Sequence, residues 1–395
     1  MTDNMKLKPF LRYSSTLGCI IGSVLLNEDT KDIRAYVLQV PLPKFPPVVI
    51  ALIPNTGSDT TDRIAALHKK VIKEFSTRLG LHILSLGSDG AIVEFQAQQK
   101  ILGERTPERL VIHEENLNIK FTCPIFENVG PVIRVQDPKH AKKTARNAAM
   151  SGARCDVIKD DRQHDAAAYR EMIDSYLNRL ITPIERIRMV MMGYFFLQIW
   201  RFHVETLSRK YPDFISVKYN FLANQSFCIF TSLAESMVLL IKAHREFYPQ
   251  VPLLPWFHGS ESSLRTQKLT FEKEKNVRQG YHFDYNSGQL DETSLEILCA
   301  WPSDNEILQS MRHAHYLACE LGRVVGMLQP EDLLINTYCP QVEIIREDPD
   351  VSVSNVNSKE LDSENQILEN ENVDLSTALS EASPKIIKII ILFFT

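Results

Sequence analysis

The sequence contains no C-x-x-C pair, no Walker-type G-x-x-x-x-G-K-[ST], no G-x-G-x-x-G, no H-E-x-x-H and no internal repeat. Its seven scattered cysteines (Cys19, Cys123, Cys155, Cys228, Cys299, Cys319, Cys339) argue against a disulfide framework and a zinc knuckle, and fit a reducing compartment. Without a G-x-S-x-G elbow a Ser/His/Asp hydrolase lacks its signature, and no local pattern supports a Cys/His nucleophile. Neither end carries a long apolar run. The start, MTDNMKLKPF, has no signal-peptide core, and Ile386 to Phe394 is short and broken by Lys388. The stretch MVMMGYFFLQIWRFH (189–203) is flanked by Arg186 and Arg188 and contains Arg201, so it reads as a core helix and no membrane association is expected.

What is present is ordinary globular material. The 395 residues are 44% hydrophobic, 24% charged and 9% aromatic, ample for a buried core and about two to three domains. The net charge of −5 is unevenly spread. Residues 343–383 hold eleven acidic side chains against Arg346 and Lys359, a net −9, which leaves +4 on the rest. Such an acidic, Ser/Asn-rich segment is expected to be disordered, and a mildly basic remainder is compatible with a nucleic-acid partner.

Apolar patterning places strands at 17–25, 35–40 and 48–54, read as a three-strand antiparallel meander. A helix follows over 59–79, with Ile64, Ala65, Leu67, His68, Val71, Ile72 and Phe75 on one stripe and Gly80 as its stop. LHILSLGSDG is the next strand, ending at Asp89. A helix over 91–99 and a strand, VIRVQD, ending at Asp137 come after it, and then a basic helix from Pro138 to Ala153. From Ile173 to Phe247 the spacing is helical throughout; 259–292 is polar and irregular; Ser294–Met327 is helical, broken at Trp301-Pro302, and is expected to pack back on the sheet.

A three-strand meander, then a helix and a parallel strand, with acidic residues at strand ends, is the topology of the RNase H-like fold, where carboxylates hold divalent ions against a phosphodiester. Several blocks carry a more specific likeness: LRYSSTLGCIIGS, AYVLQVPLPKFPPVVIALIPN, LHILSLGSDGA-x-x-EFQAQ, QDPKHAKKTARNA-x-x-SGAR, RFHVETLSRKYPDFIS and PWFHGSE. Over most of residues 3–328 the chain resembles the RNase H-like catalytic region of eukaryotic cut-and-paste transposases of the P-element and THAP-domain groups. The resemblance implies an α/β fold, a mixed sheet interrupted by an all-helical insertion, with Mg²⁺- or Mn²⁺-dependent DNA strand cleavage and transfer, DNA as partner and a nuclear location. No small-molecule substrate is implied, and a homo-oligomer is compatible.

Carried over by position, Asp3 in TDNMKLKPFLRY matches the first metal-binding aspartate and Asp89 in GSDGA the second. Read without the resemblance, Asp3 is a terminal charge and Asp89 a Ser-Asp-Gly turn residue. For the third ligand the resemblance expects H-G-S-E followed closely by a second glutamate. Here the chain reads HGSESSLRTQKLTFEK: Leu264 stands in that place, Glu261 precedes it, and Glu272 and Glu274 are distant substitutes. Asp137 and His140 would support the site, and Lys139, His140, Lys142, Lys143 and Arg146 would hold the DNA backbone, although a solvated basic helix face has the same pattern. His313 and His315 are two apart and do not make a zinc pair on a helix.

Departures from the pattern predict impaired catalysis. The strand expected to lead into Asp3 and a preceding zinc-coordinating DNA-binding domain are missing, and the text jumps from SGAR154 to CDVIKDD, as in a truncated copy with internal losses. The expected organisation is an incomplete core over 1–170, a helical insertion over 171–258, an irregular linker over 259–292, a helical return over 293–330, and an acidic disordered tail with a short apolar end over 331–395. The competing reading is a non-enzymatic scaffold that binds DNA or protein, with the acidic tail as docking segment.

Overall fold

The computed structural model describes residues 5–6, 10–14, 19–23, 32–42, 48–55, 59–88, 90–138, 141, 162–258, 292–328 and 389–394. Two strands, β4 (Asp32–Gln39) and β5 (Val48–Asn55), pair antiparallel, as expected for a hairpin linked by a Pro-punctuated turn. The helix α1 (Thr61–Leu79) follows; the Thr60 hydroxyl accepts from the Arg63 N–H at 3.3 Å, and Gly80 closes it with φ +64°, a conformation that suits glycine. Then come β6 (His82–Ser88), α2 (Ile92–Leu102) and β10 (Ile133–Gln136), which lies parallel to β6. The result is a mixed α/β protein.

The predicted meander is not one unit. β3 (Cys19–Ser23) pairs with β2 (Phe10–Ser14) in a separate hairpin, while the edge of β4 opposite β5 is taken by β1 (Met5–Lys6) and by β11 (Ile389–Phe394). β11 is antiparallel to β4, with Phe394 opposite Tyr36, and parallel to β6, with Phe393 opposite Gly87. The sheet therefore runs β5-β4-β11-β6-β10, and β4 and β6 reach each other only through β11. Residues 343–383 lie outside the described residues, but the apolar end, expected from the sequence to close a disordered tail, is the central strand of the sheet.

Between α2 and β10 sits a second sheet not anticipated from the sequence: β7 (Glu108–Glu114), β8 (Ile119–Phe126) and β9 (Gly130–Pro131), turned through a 3-10 segment and Asn118 at φ +50°. Leu110, Ile112, Ile119, Phe121 and Cys123 point from it into the main core.

The helical block begins earlier than expected, with α3 (Arg162–Leu177), and continues through α4 (Pro183–Lys210), the short α5 (Val217–Asn220) and α6 (Asn224–Phe247). α4 contains the Met/aromatic stretch and buries Val190, Met191, Phe195, Phe196, Leu197 and Trp200, as read from the sequence. The Arg186 guanidinium is fully buried and donates to the carbonyls of Ser175 and Asn178, closing the end of α3. α6 is apolar and long enough to cross a bilayer, yet most of it is enclosed by the protein. It packs across β10, where the Ser236 hydroxyl donates to the Arg134 carbonyl.

α7 (Glu292–Leu298) and α8 (Asp304–Val324) flank the Trp301-Pro302 break, where the Trp301 indole donates to the Pro249 carbonyl at 2.9 Å. Ser303 and Glu306 form a capping box at the start of α8. The main partner of α8 is α4, and Arg312 reaches Glu114 of β7; the expected docking onto the large sheet is replaced by packing on the helical layer. The apolar interior has two parts: α1 and α2 cover one face of the sheet through Ile64, Ile72, Ile83, Leu86 and Ile101, and the helical block with β7 and β8 makes the larger core on the other.

Candidate functional site

The C-terminal ends of β6 and β10 lie side by side, Ser88 opposite Gln136. Parallel strands in an open α/β sheet place their reactive groups at this end, because the chain leaves the sheet there and backbone groups become available. Asp89 follows Ser88 and Asp137 follows Gln136 in the sequence. Among the sequence-predicted site residues, Asp137 is the one that is described. It is buried, its N–H donates to the Ser88 carbonyl at 2.9 Å, and its own carbonyl accepts from Ala141 at 3.0 Å. Pro138 follows it in helical conformation, so Asp137 stands where an N-cap stands, ahead of a proline at the first helical position. Asp3, Asp89, Glu261, Lys139, His140, Lys142, Lys143 and Arg146 lie outside the described residues.

A line of neutral polar groups backs this edge. The Ser88 hydroxyl donates to Gln136 Oε1 at 3.0 Å, and Gln136 Nε2 donates to Gln98 Oε1 at 2.9 Å, all three side chains being buried. From the helical block, Gln225 Nε2 donates to the Gly90 carbonyl at 2.6 Å, which ties the first turn of α6 to the residue after Asp89. Gly90 has φ +91°, and a Cβ there would stand 2.6 Å from Ile229 Cδ1 and 3.3 Å from Gln136 Oε1. The positive φ is what favours glycine here, and a Cβ would in addition push the end of the Ile229 side chain aside. Gly90→Ala is expected to cost roughly 1–3 kcal/mol and lower the thermal midpoint accordingly, measurable by calorimetry.

A second polar cluster is fully enclosed between β4, α1 and α2. Arg34 Nη1 donates to Glu94 Oε2 at 2.5 Å, His68 Nε2 contacts Glu94 Oε1, and Tyr36 Oη lies 3.0 Å from His68 Nδ1. Burial pushes the His68 pKa down, which leaves a neutral ring that donates Nε2–H to the carboxylate and accepts the Tyr36 hydroxyl at Nδ1. Burial alone would raise the Glu94 pKa, but the opposed pull of its His68 and Arg34 partners holds it below the ordinary carboxylate range. The Tyr36 hydroxyl is pushed up by burial. A carboxylate, a histidine and a hydroxyl in line resemble a proton relay, but all are sealed from solvent, so the cluster fastens the hairpin to the two helices.

The described part of the strand-end edge supplies one carboxylate, Asp137, and among the described residues no three His, Cys, Asp or Glu side chains converge as an ion site. A divalent ion at this edge would need further oxygen ligands from outside the described residues. The two glutamines were not foreseen, since neutral amides carry no motif; His68 was visible only as a polar residue within an apolar helical stripe. No protein-family model matches the chain, and no curated protein or solved structure matches it.

Proposed function

We propose that this chain is a transposase-derived protein of RNase H-like fold, ancestrally a Mg²⁺-dependent DNA strand-cleaving and strand-transferring enzyme, and that its own catalysis is impaired. The observation that carries the reading is the strand order: an antiparallel hairpin, a helix and two parallel strands in one mixed sheet, with aspartates in the sequence directly after both parallel strands. An RNase H-like reading needs a strand between hairpin and parallel pair, antiparallel to one and parallel to the other. β11 has those directions.

The same strand supports the reading of impaired catalysis. β11 reads Ile-Ile-Ile-Leu-Phe-Phe and contains no carboxylate, so the central strand does not itself deliver the first acidic ligand. Asp3 precedes β1, which pairs with β4 at Ile33, further along the edge that β11 occupies up to Tyr36. The resemblance also puts Leu264 where a ligand glutamate is expected. In this role Asp89 and Asp137 would face the scissile phosphate, the neutral Ser88–Gln136–Gln98 line would hold their strand ends in place, and the cations after Asp137 would take the DNA backbone. A bound divalent ion would supply the charge that lowers the pKa of an attacking water.

The test is titration calorimetry with Mg²⁺ and Mn²⁺ on the full chain and on Asp89→Ala, with plasmid nicking followed in the same samples. Weak ion binding and slow nicking in the wild type, both lost in the variant, support a residual site on this edge. Nicking that survives in Asp89→Ala would overturn it. DNA binding with no ion uptake and no nicking in either protein would favour the second reading, a DNA-binding scaffold without chemistry.

A further inference from the structure

The connection between α4 and α6 presents large rings to solvent where a helix-to-helix turn ordinarily carries small polar residues. Phe214 is 87% exposed, Tyr219 64% and Tyr211 44%. Cations accompany them: Lys210 Nζ is 5.2 Å from the centre of the Tyr211 ring and Lys218 Nζ 5.7 Å from that of Tyr219. Arg209, Lys210 and Lys218 are exposed here with a single exposed carboxylate between them, Asp213.

The turn is also held in shape. The Tyr211 N–H donates to the Leu207 carbonyl at 2.8 Å, that of Phe214 to the Tyr211 carbonyl at 3.1 Å, and that of Ser216 to Asn220 Oδ1 at 2.9 Å. Ile215 and Val217 pack on the core and Phe221 and Leu222 are buried, so the segment is anchored between its exposed rings. Apolar groups that could have gone inward did so. Tyr219 stands five residues before Asn224, which opens α6, and the next residue of that helix, Gln225, bonds the Gly90 carbonyl beside the strand-end edge.

We propose that this turn is a stacking platform for the unpaired bases of single-stranded DNA. The proposal rests on the DNA-processing reading above and names the form of substrate that the edge would receive. Each base offers a π face to a ring whatever its identity, and the neighbouring lysines neutralise the phosphates, so recognition favours unpaired strands and tolerates any sequence. Duplex DNA hides its base faces and gains only the lysines.

The experiment is fluorescence anisotropy of the full chain with labelled oligothymidylate and with a duplex of the same length, in EDTA so that no ion contributes. Single strand should bind more tightly than duplex. Phe214→Ala and Tyr219→Ala should each weaken single-strand binding roughly tenfold, leave duplex binding unchanged and keep the wild-type thermal midpoint, while Phe214→Trp retains affinity. Equal or better binding of duplex, no single-strand binding, or variants that bind like the wild type would each overturn the proposal. So would self-association abolished by Phe214→Ala with no affinity for DNA, which would make the rings a protein contact. Single-strand binding in EDTA without metal-dependent nicking would leave the platform standing and remove only the cleavage reading.

Discussion

Removing residues 389–395 is expected to break the cooperative unfolding of this protein. β4 and β6 have no ladder in common; β11 is paired with β4 at four positions and with β6 at five. At about 1 kcal/mol net for each backbone hydrogen bond, the two ladders together represent several kcal/mol, against a total of about 5–15 kcal/mol for a typical folded protein. The shortened chain should melt more than about 10 °C lower, or in two steps, as the hairpin with α1 separates from β6 and β10. Leu392→Pro in the full chain should reproduce the loss, since it withdraws a donor opposite Leu38 and Leu86. Differential scanning calorimetry decides the matter: an unchanged single transition in both variants would show that β11 does not hold the sheet together.

Glu94→Leu is expected to cost about 3–5 kcal/mol, because it strands the buried Arg34 guanidinium without its carboxylate. Arg34→Met combined with Glu94→Leu should recover most of that loss, and the double-mutant cycle gives the coupling. The pH profile carries a second signature. The His68 pKa is lowered in the fold, so below about 6.5 the unfolded chain takes up a proton that the native chain refuses, and stability falls as the pH drops. Glu94, also lowered, contributes stability present above its unfolded value near 4.5 and lost as the pH falls through the folded value. In Glu94→Leu the second of these limbs should disappear from urea titrations run across acidic pH. A variant whose stability and acid limb match the wild type would show that the cluster is not a charged lock.

Local signals in the sequence were sufficient where the element is made by neighbours in the chain. The stripe from Ile64 to Phe75 and the stop at Gly80 give α1 within two residues of its observed bounds, and the apolar runs before Asp89 and Asp137 give β6 and β10. β7 carries a local signal too: Leu110, Ile112 and Glu114 turn inward while Val111 and His113 turn outward, a period of two. β11 is different in kind. Nothing in Ile-Ile-Ile-Leu-Phe-Phe says which strand it will meet, because its partners lie some 300 residues away and pairing is decided by the gap they leave. The strand end at Asp137 was legible for the same local reason as β10, whereas Gln98, Gln136 and Gln225 converge only through tertiary contacts.

The position of β11 also sets a timetable for synthesis. β10 ends at Gln136 and β11 begins at Ile389, so about 250 residues are translated between them. At about 5–20 residues per second the facing edges of β4 and β6 then wait on the order of ten seconds or longer for the strand that joins them. During that interval the nascent chain offers two open ladder edges with apolar flanks, the kind of surface that chaperones hold and aggregates recruit. Closure is a contact of very high sequence separation, so folding of the released chain should be slow and limited by this last docking step.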